Sequence, residues 1–261
     1  LFLTFEFKMF IDTHTHLYDE QLIAEEQEMI KRAADAGVTK MYMPNCNSET
    51  IPGMMHLAGS YPEYCFPMMG LHPCYVKEDY RNELQIIREW LEKDKFYAVG
   101  EIGLDYYWDL SFKEQQIEAF EEQIDLALHY GLPIVIHSRE STQDCIDIVK
   151  RKKKESLRGI FHCFSGSLEE ARQIVNMGFY LGIGGVVTYK KTNLPEVINE
   201  IGLTHIVLEP DAPYLAPVPY RGKRNESSYI PVIAKKVAEV FNISLDEVEK
   251  ATTENARKIF G

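Results

Sequence analysis

The amino-acid sequence predicts an α/β protein of the (β/α)8 type, a TIM barrel with eight parallel strands. Eight short β-branched or aromatic runs each end on a polar or chemically capable residue, near His16, Asn45, His72, Glu101, His137, His162, Gly184 and Glu209. Amphipathic helical stretches alternate with these runs. The successive separations, 29, 27, 29, 36, 25, 22 and 25 residues, each hold one strand, one helix and two short loops. The length of 261 residues suits one barrel of about 250 residues, and right-handed crossovers make closure the simplest architecture.

In chain order, Met9-Phe-Ile-Asp-Thr-His-Thr-His16 comes first, an apolar run that delivers two imidazoles two residues apart, a spacing that puts both on one side of a strand. Residues 1–8 read either as an extension ahead of a start at Met9 or, through alternating Phe5 and Phe7, as a strand that lengthens the first one. Three helices announce their starts with a serine three residues before a glutamate: Ser111-Phe-Lys-Glu114, Ser167-Leu-Glu-Glu170 and Ser244-Leu-Asp-Glu247. After Ser111, Ile117, Phe120, Ile124 and Leu128 recur at helical spacing until Gly131-Leu-Pro133 ends the helix and Ile134-Val-Ile136 opens a strand. Helices from about Ile230 to Phe260 complete the outer ring. No linker or low-complexity tract interrupts the pattern, so residues 9–261 are expected to form a single domain.

The net charge of -12 argues against a protein that coats nucleic acid nonspecifically, although a local basic patch remains compatible with a phosphate chain. Five cysteines, Cys46, Cys65, Cys74, Cys145 and Cys163, form no C-x-x-C pair, which suggests reduced thiols in a cytoplasmic protein. No apolar run approaches the roughly 20 residues of a membrane span. Nothing in the sequence calls for an obligate protein partner.

In a barrel of this kind the active site lies at the C-terminal ends of the strands. His14, His16, Glu101, His137 and His162 close strands there, and Asp211 follows the last one, so four imidazoles and two carboxylates are expected on one rim. The chain resembles the TatD family of metal-dependent deoxyribonucleases, within the amidohydrolase superfamily. The matching segments span most of the sequence: Asp12-Thr-His-Thr-His16, Gly70-Leu-His-Pro73, Val99-Gly-Glu-Ile-Gly-Leu-Asp-Tyr106, Pro133-Ile-Val-Ile-His-Ser-Arg139, Phe161-His-Cys-Phe-Ser-Gly166, Asp211-Ala-Pro-Tyr-Leu-Ala-Pro217, Tyr220-Arg-Gly-Lys-Arg-Asn225 and Asn255-Ala-Arg257. One departure is Glu209-Pro-Asp211, where the family usually has Glu-Thr-Asp; proline fixes φ and removes an N–H, so the approach of Asp211 is expected to shift.

The resemblance implies two divalent metal ions: one held by His14, His16, Glu101 and Asp211, the other by Glu101, His137 and His162, with Glu101 bridging. Two cations about 3.5–4 Å apart can polarise a phosphoryl oxygen, acidify a shared water and stabilise the leaving oxygen. Asp211 is then the natural base. The donor set suits Zn2+ or Mn2+ by softness, whereas the family implies Mg2+.

His72, Arg139, Arg221, Lys223 and Arg224 are the candidate contacts to substrate, with Lys190 and Lys191 extending the patch. Asp105 and Tyr106 can orient a ligand histidine or line the cleft, Glu209 can point beneath the metals or pair with a ligand histidine or Arg139, and Tyr106, Tyr107 and Trp108 can stack on bases. Lys150-Arg-Lys-Lys-Lys154 falls on the opposite face, and alternation turns Cys163 into the core. The implied activity is hydrolysis of DNA at single-stranded ends. A metal-dependent ester or amide hydrolase such as a D-aminoacyl-tRNA deacylase, and a metal-binding scaffold without turnover, are the alternatives.

Overall fold

The structure, a computed structural model, describes residues 9–261; both readings of residues 1–8 lie outside the described residues. Strands and helices alternate in the expected order: β1 (Phe10–Asp12), α1 (Glu20–Ile23), α2 (Glu26–Asp35), β2 (Val38–Pro44), α3 (Ile51–Ser60), β3 (Cys65–Met68), α4 (Tyr80–Lys93), β4 (Val99–Asp105) and α5 (Lys113–Tyr130). There follow β5 (Ile134–Arg139), α6 (Thr142–Lys152), β6 (Gly159–Phe161), α7 (Leu168–Asn176), β7 (Tyr180–Ile183), α8 (Leu194–Ile201), β8 (Ile206–Leu208), α9 (Ile230–Phe241) and α10 (Leu245–Phe260).

All pairings between these strands are parallel. Parallel neighbours need crossovers, and helices supply them. The strands are grouped as two sheets, β1-β2-β3 and β4-β5-β6-β7-β8, so the expected single closed sheet is not found among the described residues. At both seams the backbone pairing falls largely on residues just outside β1, β3 and β8. Thr13 N donates to Leu208 O at 3.1 Å and Asp211 N to His14 O at 3.2 Å, while Tyr97 N donates to Pro67 O at 3.0 Å, Met69 N to Ala98 O at 3.1 Å and Gly100 N to Met69 O at 3.0 Å.

The strands bury both faces, as a parallel sheet covered by helices must. One set of side chains, including Phe10, Met41, Ile136 and Phe161, joins the principal core; Ile11, Tyr42, Val135 and Val207 join a second cluster closed by Ile259 and Phe260 of α10.

Two of the three predicted serine caps are present. Ser167 and Ser244 each accept from the backbone of a glutamate three residues on, and that glutamate reaches back to the serine N–H. Ser111 is a correction: α5 starts at Lys113 with Phe112 at its N-cap, because Ser111 N donates to Asp109 Oδ1 at 2.9 Å and is spent in a turn before the helix. Gly131 ends α5 in the left-handed region at φ 67°, as its position predicts. Lys150, Arg151 and Lys152 form the last turn of α6, and Arg151 and Lys152 pair with Glu121 and Asp125 on α5.

Candidate metal centre

β1 stops at Asp12, and the four residues beyond it are pinned by backbone contacts on both sides. Thr15 N donates to Tyr42 O at 3.1 Å and His16 N to Ala212 O at 2.8 Å. Asp12 is buried; its Oδ1 accepts from His14 N at 3.0 Å and its Oδ2 from Ser227 Oγ at 2.7 Å. This short loop turns both imidazoles inward, with their Nε2 atoms 3.3 Å apart.

Glu101 and His137 lie inside β4 and β5 rather than at their ends, which corrects the sequence-based boundaries. A glycine makes their approach possible. Gly103 has φ 139°, and a Cβ there would fall 2.0 Å from the His137 carbonyl oxygen, so only a residue without a side chain lets β4 lie this close to β5. His162 follows the last residue of β6, and Asp211 stands three residues past β8 at φ 57°. Its carboxylate still reaches the cluster: Oδ1 lies 3.7 Å from His16 Nε2 and 3.9 Å from His14 Nε2. Pro210 therefore does not remove Asp211 from the site.

Glu101 is the hub. Its Oε2 is 3.2 Å from His14 Nε2 and 3.5 Å from His16 Nε2. Its Oε1 is 2.8 Å from His137 Nδ1, 2.9 Å from His162 Nε2 and 3.4 Å from His72 Nε2. The six residues expected on one rim are brought together, and His72 joins them.

The donor chemistry fits a divalent cation. Two ligands each about 2.0–2.1 Å from one ion at a tetrahedral angle stand about 3.3 Å apart, which is the separation seen among His14, His16 and Glu101. Three overlapping trios have donor atoms within 4.8 Å of one another: His14, His16 and Glu101; His14, His162 and Asp211; and His72, Glu101 and His137.

The charges respond to burial and to each other. Burial pushes His14 and His72 below the usual imidazole range and His16 to about 4, which favours the neutral ring with its lone pair. At His137 and His162 burial acts in the same direction, but facing carboxylates outweigh it and both rise: Asp105 and Glu101 at His137, Glu101 and Glu209 at His162. Burial pushes Asp211 up to about 8, against the opposing charge of His162. Burial also works against the charge of Glu101, yet His162, His72 and His14 hold it well below the usual carboxylate range.

Outer contacts orient the rings. His137 Nε2 donates to Asp105 Oδ2 at 2.9 Å, which turns Nδ1 toward Glu101. Asp105 is held at about 2: burial opposes its charge, but His137 and the Tyr107 and Trp108 amides outweigh it. Glu209 Oε1 lies 3.3 Å from His162 Nδ1, an ion-pair contact without hydrogen-bond alignment, and a Cβ on Gly182 would meet the same carboxylate at 2.3 Å. Tyr18 OH donates to Pro44 O at 2.5 Å and accepts from His16 Nδ1 at 2.9 Å, leaving Nε2 to face Glu101. Tyr18 was missed in the sequence reading, although it continues the two-residue spacing of His14 and His16. Cys163 is a second correction. Its φ of 47° breaks the alternation after His162, and it borders the cavity instead of joining the core.

A cavity of about 890 Å3 opens over the cluster, bordered by Glu101, His137, His162 and Asp211 and, further out, by Arg139 and Trp108. Arg139, the last residue of β5, stacks on Tyr107. Arg221, Lys223 and Arg224 do not border the cavity. Arg221 lies over Tyr189, Lys223 is exposed, and Arg224 is engaged by Glu25 at 2.9 Å.

The profile of the family described as TatD related DNase matches residues 11–261. The chain belongs to the TatD family. Among relatives of this TatD-family chain, YabD of Bacillus subtilis, described as an uncharacterized metal-dependent hydrolase, is 40% identical over 97% of this chain and 99% of its own length. A Pantoea ananatis protein described as the 3'-5' ssDNA/RNA exonuclease TatD is 31% identical over 96% of this chain and 98% of its own. The crystal structure of the TatD homologue YJJV from Escherichia coli K12 superimposes with a TM-score of 0.91 at 31% identity, covering 96% of this chain and 97% of that one. The protein is a metal-dependent hydrolase with a TatD-type α/β fold.

Proposed function

We propose that residues 9–261 form one catalytic (β/α)8 barrel that hydrolyses DNA phosphodiester bonds, trimming single-stranded ends, with two divalent cations on either side of Glu101. The observation that carries this reading is the division of Glu101: Oε2 faces His14 and His16, while Oε1 faces His137 and His162. One cation is assigned to His14, His16, Glu101 and Asp211, the other to Glu101, His137 and His162, with Zn2+, Mn2+ or Mg2+ as the ion. Bound there, such ions supply Lewis acidity toward a phosphoryl oxygen and acidify water. The exonuclease description of the Pantoea relative supports a single-stranded nucleic acid substrate.

The chain's own groups divide the remaining work. Asp211 borders the cavity beside both His14 and His16, and takes the proton of the attacking water. His72, 3.4 Å from Glu101, contacts the phosphate that reacts. Arg139 holds phosphate at the rim. Arg221 and Lys223 guide the strand further out, and Arg224 joins them only by releasing Glu25. Five free cysteines support a reducing, cytoplasmic setting. Among the described residues no helix is long and apolar enough to cross a membrane.

The test is direct. Purified protein with Mg2+ or Mn2+ is expected to shorten end-labelled single-stranded DNA, and excess chelator is expected to stop it. Equal nucleotide release by the wild type and Glu101→Ala would reject the assignment.

A further inference from the structure

The mouth of the cavity carries two aromatic rings that the chemistry of the cluster does not use. Trp108 is 69% exposed, and Tyr107 beside it is 50% exposed. Their rings meet edge to face, with centroids 4.9 Å apart and an interplanar angle of 87°. Single exposed apolar residues are ordinary, but two adjacent large rings left open to solvent at the edge of a cavity are a poor use of apolar surface in isolation. Arg139 completes the group. Its guanidinium carbon lies 3.7 Å from the Tyr107 ring centroid and 5.2 Å from that of Trp108, and among the described residues no carboxylate pairs with it.

The turn that presents these rings is fixed to the donor cluster. Asp105 Oδ1 accepts from Tyr107 N at 2.9 Å and from Trp108 N at 3.1 Å, while its Oδ2 accepts from His137. One buried carboxylate thus sets the positions of both the rings and a candidate ligand. Trp108 and Arg139 border the same cavity as Glu101 and Asp211. Anything stacked on the rings is therefore held close to the reacting centre.

We propose that Trp108, Tyr107 and Arg139 form a stacking shelf for an unpaired nucleobase, through which the enzyme selects single-stranded over duplex substrate. This rests on the phosphodiesterase reading above. Every base offers a π face to an aromatic ring, and an unpaired guanidinium adds attraction for the polyanion. Inside a duplex both faces of a base are covered by its neighbours, so the shelf remains empty.

The chain has two tryptophans, so Trp90→Phe leaves Trp108 as the sole indole reporter. In chelator, an eight-nucleotide oligothymidylate is expected to quench its fluorescence, and an abasic strand of equal phosphate count to do so weakly. By anisotropy of labelled oligothymidylate, Trp108→Ala should weaken binding about 5-fold to 150-fold. Trp108→Phe should retain most of the affinity, which separates loss of a ring face from loss of packing. With cation added, Trp108→Ala should narrow the preference for single-stranded over blunt duplex ends. Equal affinity for the thymidylate and abasic strands, or an unchanged preference in an active Trp108→Ala enzyme, overturns the shelf and leaves the phosphodiesterase reading standing. Tight, ring-dependent binding without cleavage supports the shelf and sinks the reaction.

Discussion

The two sides of Glu101 are built from different materials. Facing Oε2, His14 and His16 come from a short loop held by backbone hydrogen bonds, and the outer contact to His16 is a neutral hydroxyl, Tyr18. Facing Oε1, His137 stands within β5 and His162 just past β6, backed by the carboxylates Asp105 and Glu209. The charge state follows the construction. Burial, reinforced by neighbouring imidazoles, lowers His14 and His16, whereas carboxylates overcome burial at His137 and His162. A neutral partner orients a donor; an anionic partner orients it and raises its basicity.

The largest expected effect comes from the residue that both sides share. Glu101→Ala should abolish measurable hydrolysis and, on the two-cation proposal, lower bound cation from about two per chain to one or fewer, read by elemental analysis of dialysed protein. Retention of two tightly held cations would break the picture of a shared hub. Next, Asp211→Asn should cost about 10²-fold to 10⁴-fold in kcat, the range of a lost general base. It should also remove the acidic limb of the rate profile, the fall in rate as Asp211, raised by burial to about 8, takes up a proton and can no longer accept one. A loss below tenfold would assign proton transfer elsewhere.

Much of this was legible in the sequence because strand ends and chemistry coincide. His14, His16, His137, His162 and Asp211 were found from apolar runs terminating in capable residues, and the cluster unites them around Glu101. What escaped was set by backbone conformation. Cys163 adopts positive φ, so alternation along a strand does not predict where its side chain goes. Ser111 was misread as a cap because Asp109 claims its N–H first. Basic residues were legible as a class but not by partner: Arg224 faces Glu25, a residue 199 positions away, and no local pattern announces it. The division into two sheets depends on backbone pairing that falls just past the ends of β1, β3 and β8, a detail that periodicity does not resolve.

The smallest expected effects sharpen the comparison most. Asp105→Asn replaces the anionic partner of His137 with a neutral amide and should reduce cation affinity or kcat about 10-fold to 100-fold. Tyr18→Phe removes the hydroxyl between His16 and Pro44, and should cost about 10-fold or less, because one neutral hydrogen bond contributes only about 0.5–1.5 kcal/mol. Competition with a fluorescent chelator, measured beside kcat, separates affinity from turnover. Equal losses in the two variants would mean that orientation alone matters and that the outer carboxylate adds nothing by its charge. A larger loss at Asp105, with the Tyr18 variant close to wild type, ties basicity to the Oε1 side. The double variant then decides whether the sides act independently: additive losses keep them separate, whereas a shortfall means that Glu101 transmits the disturbance from one to the other.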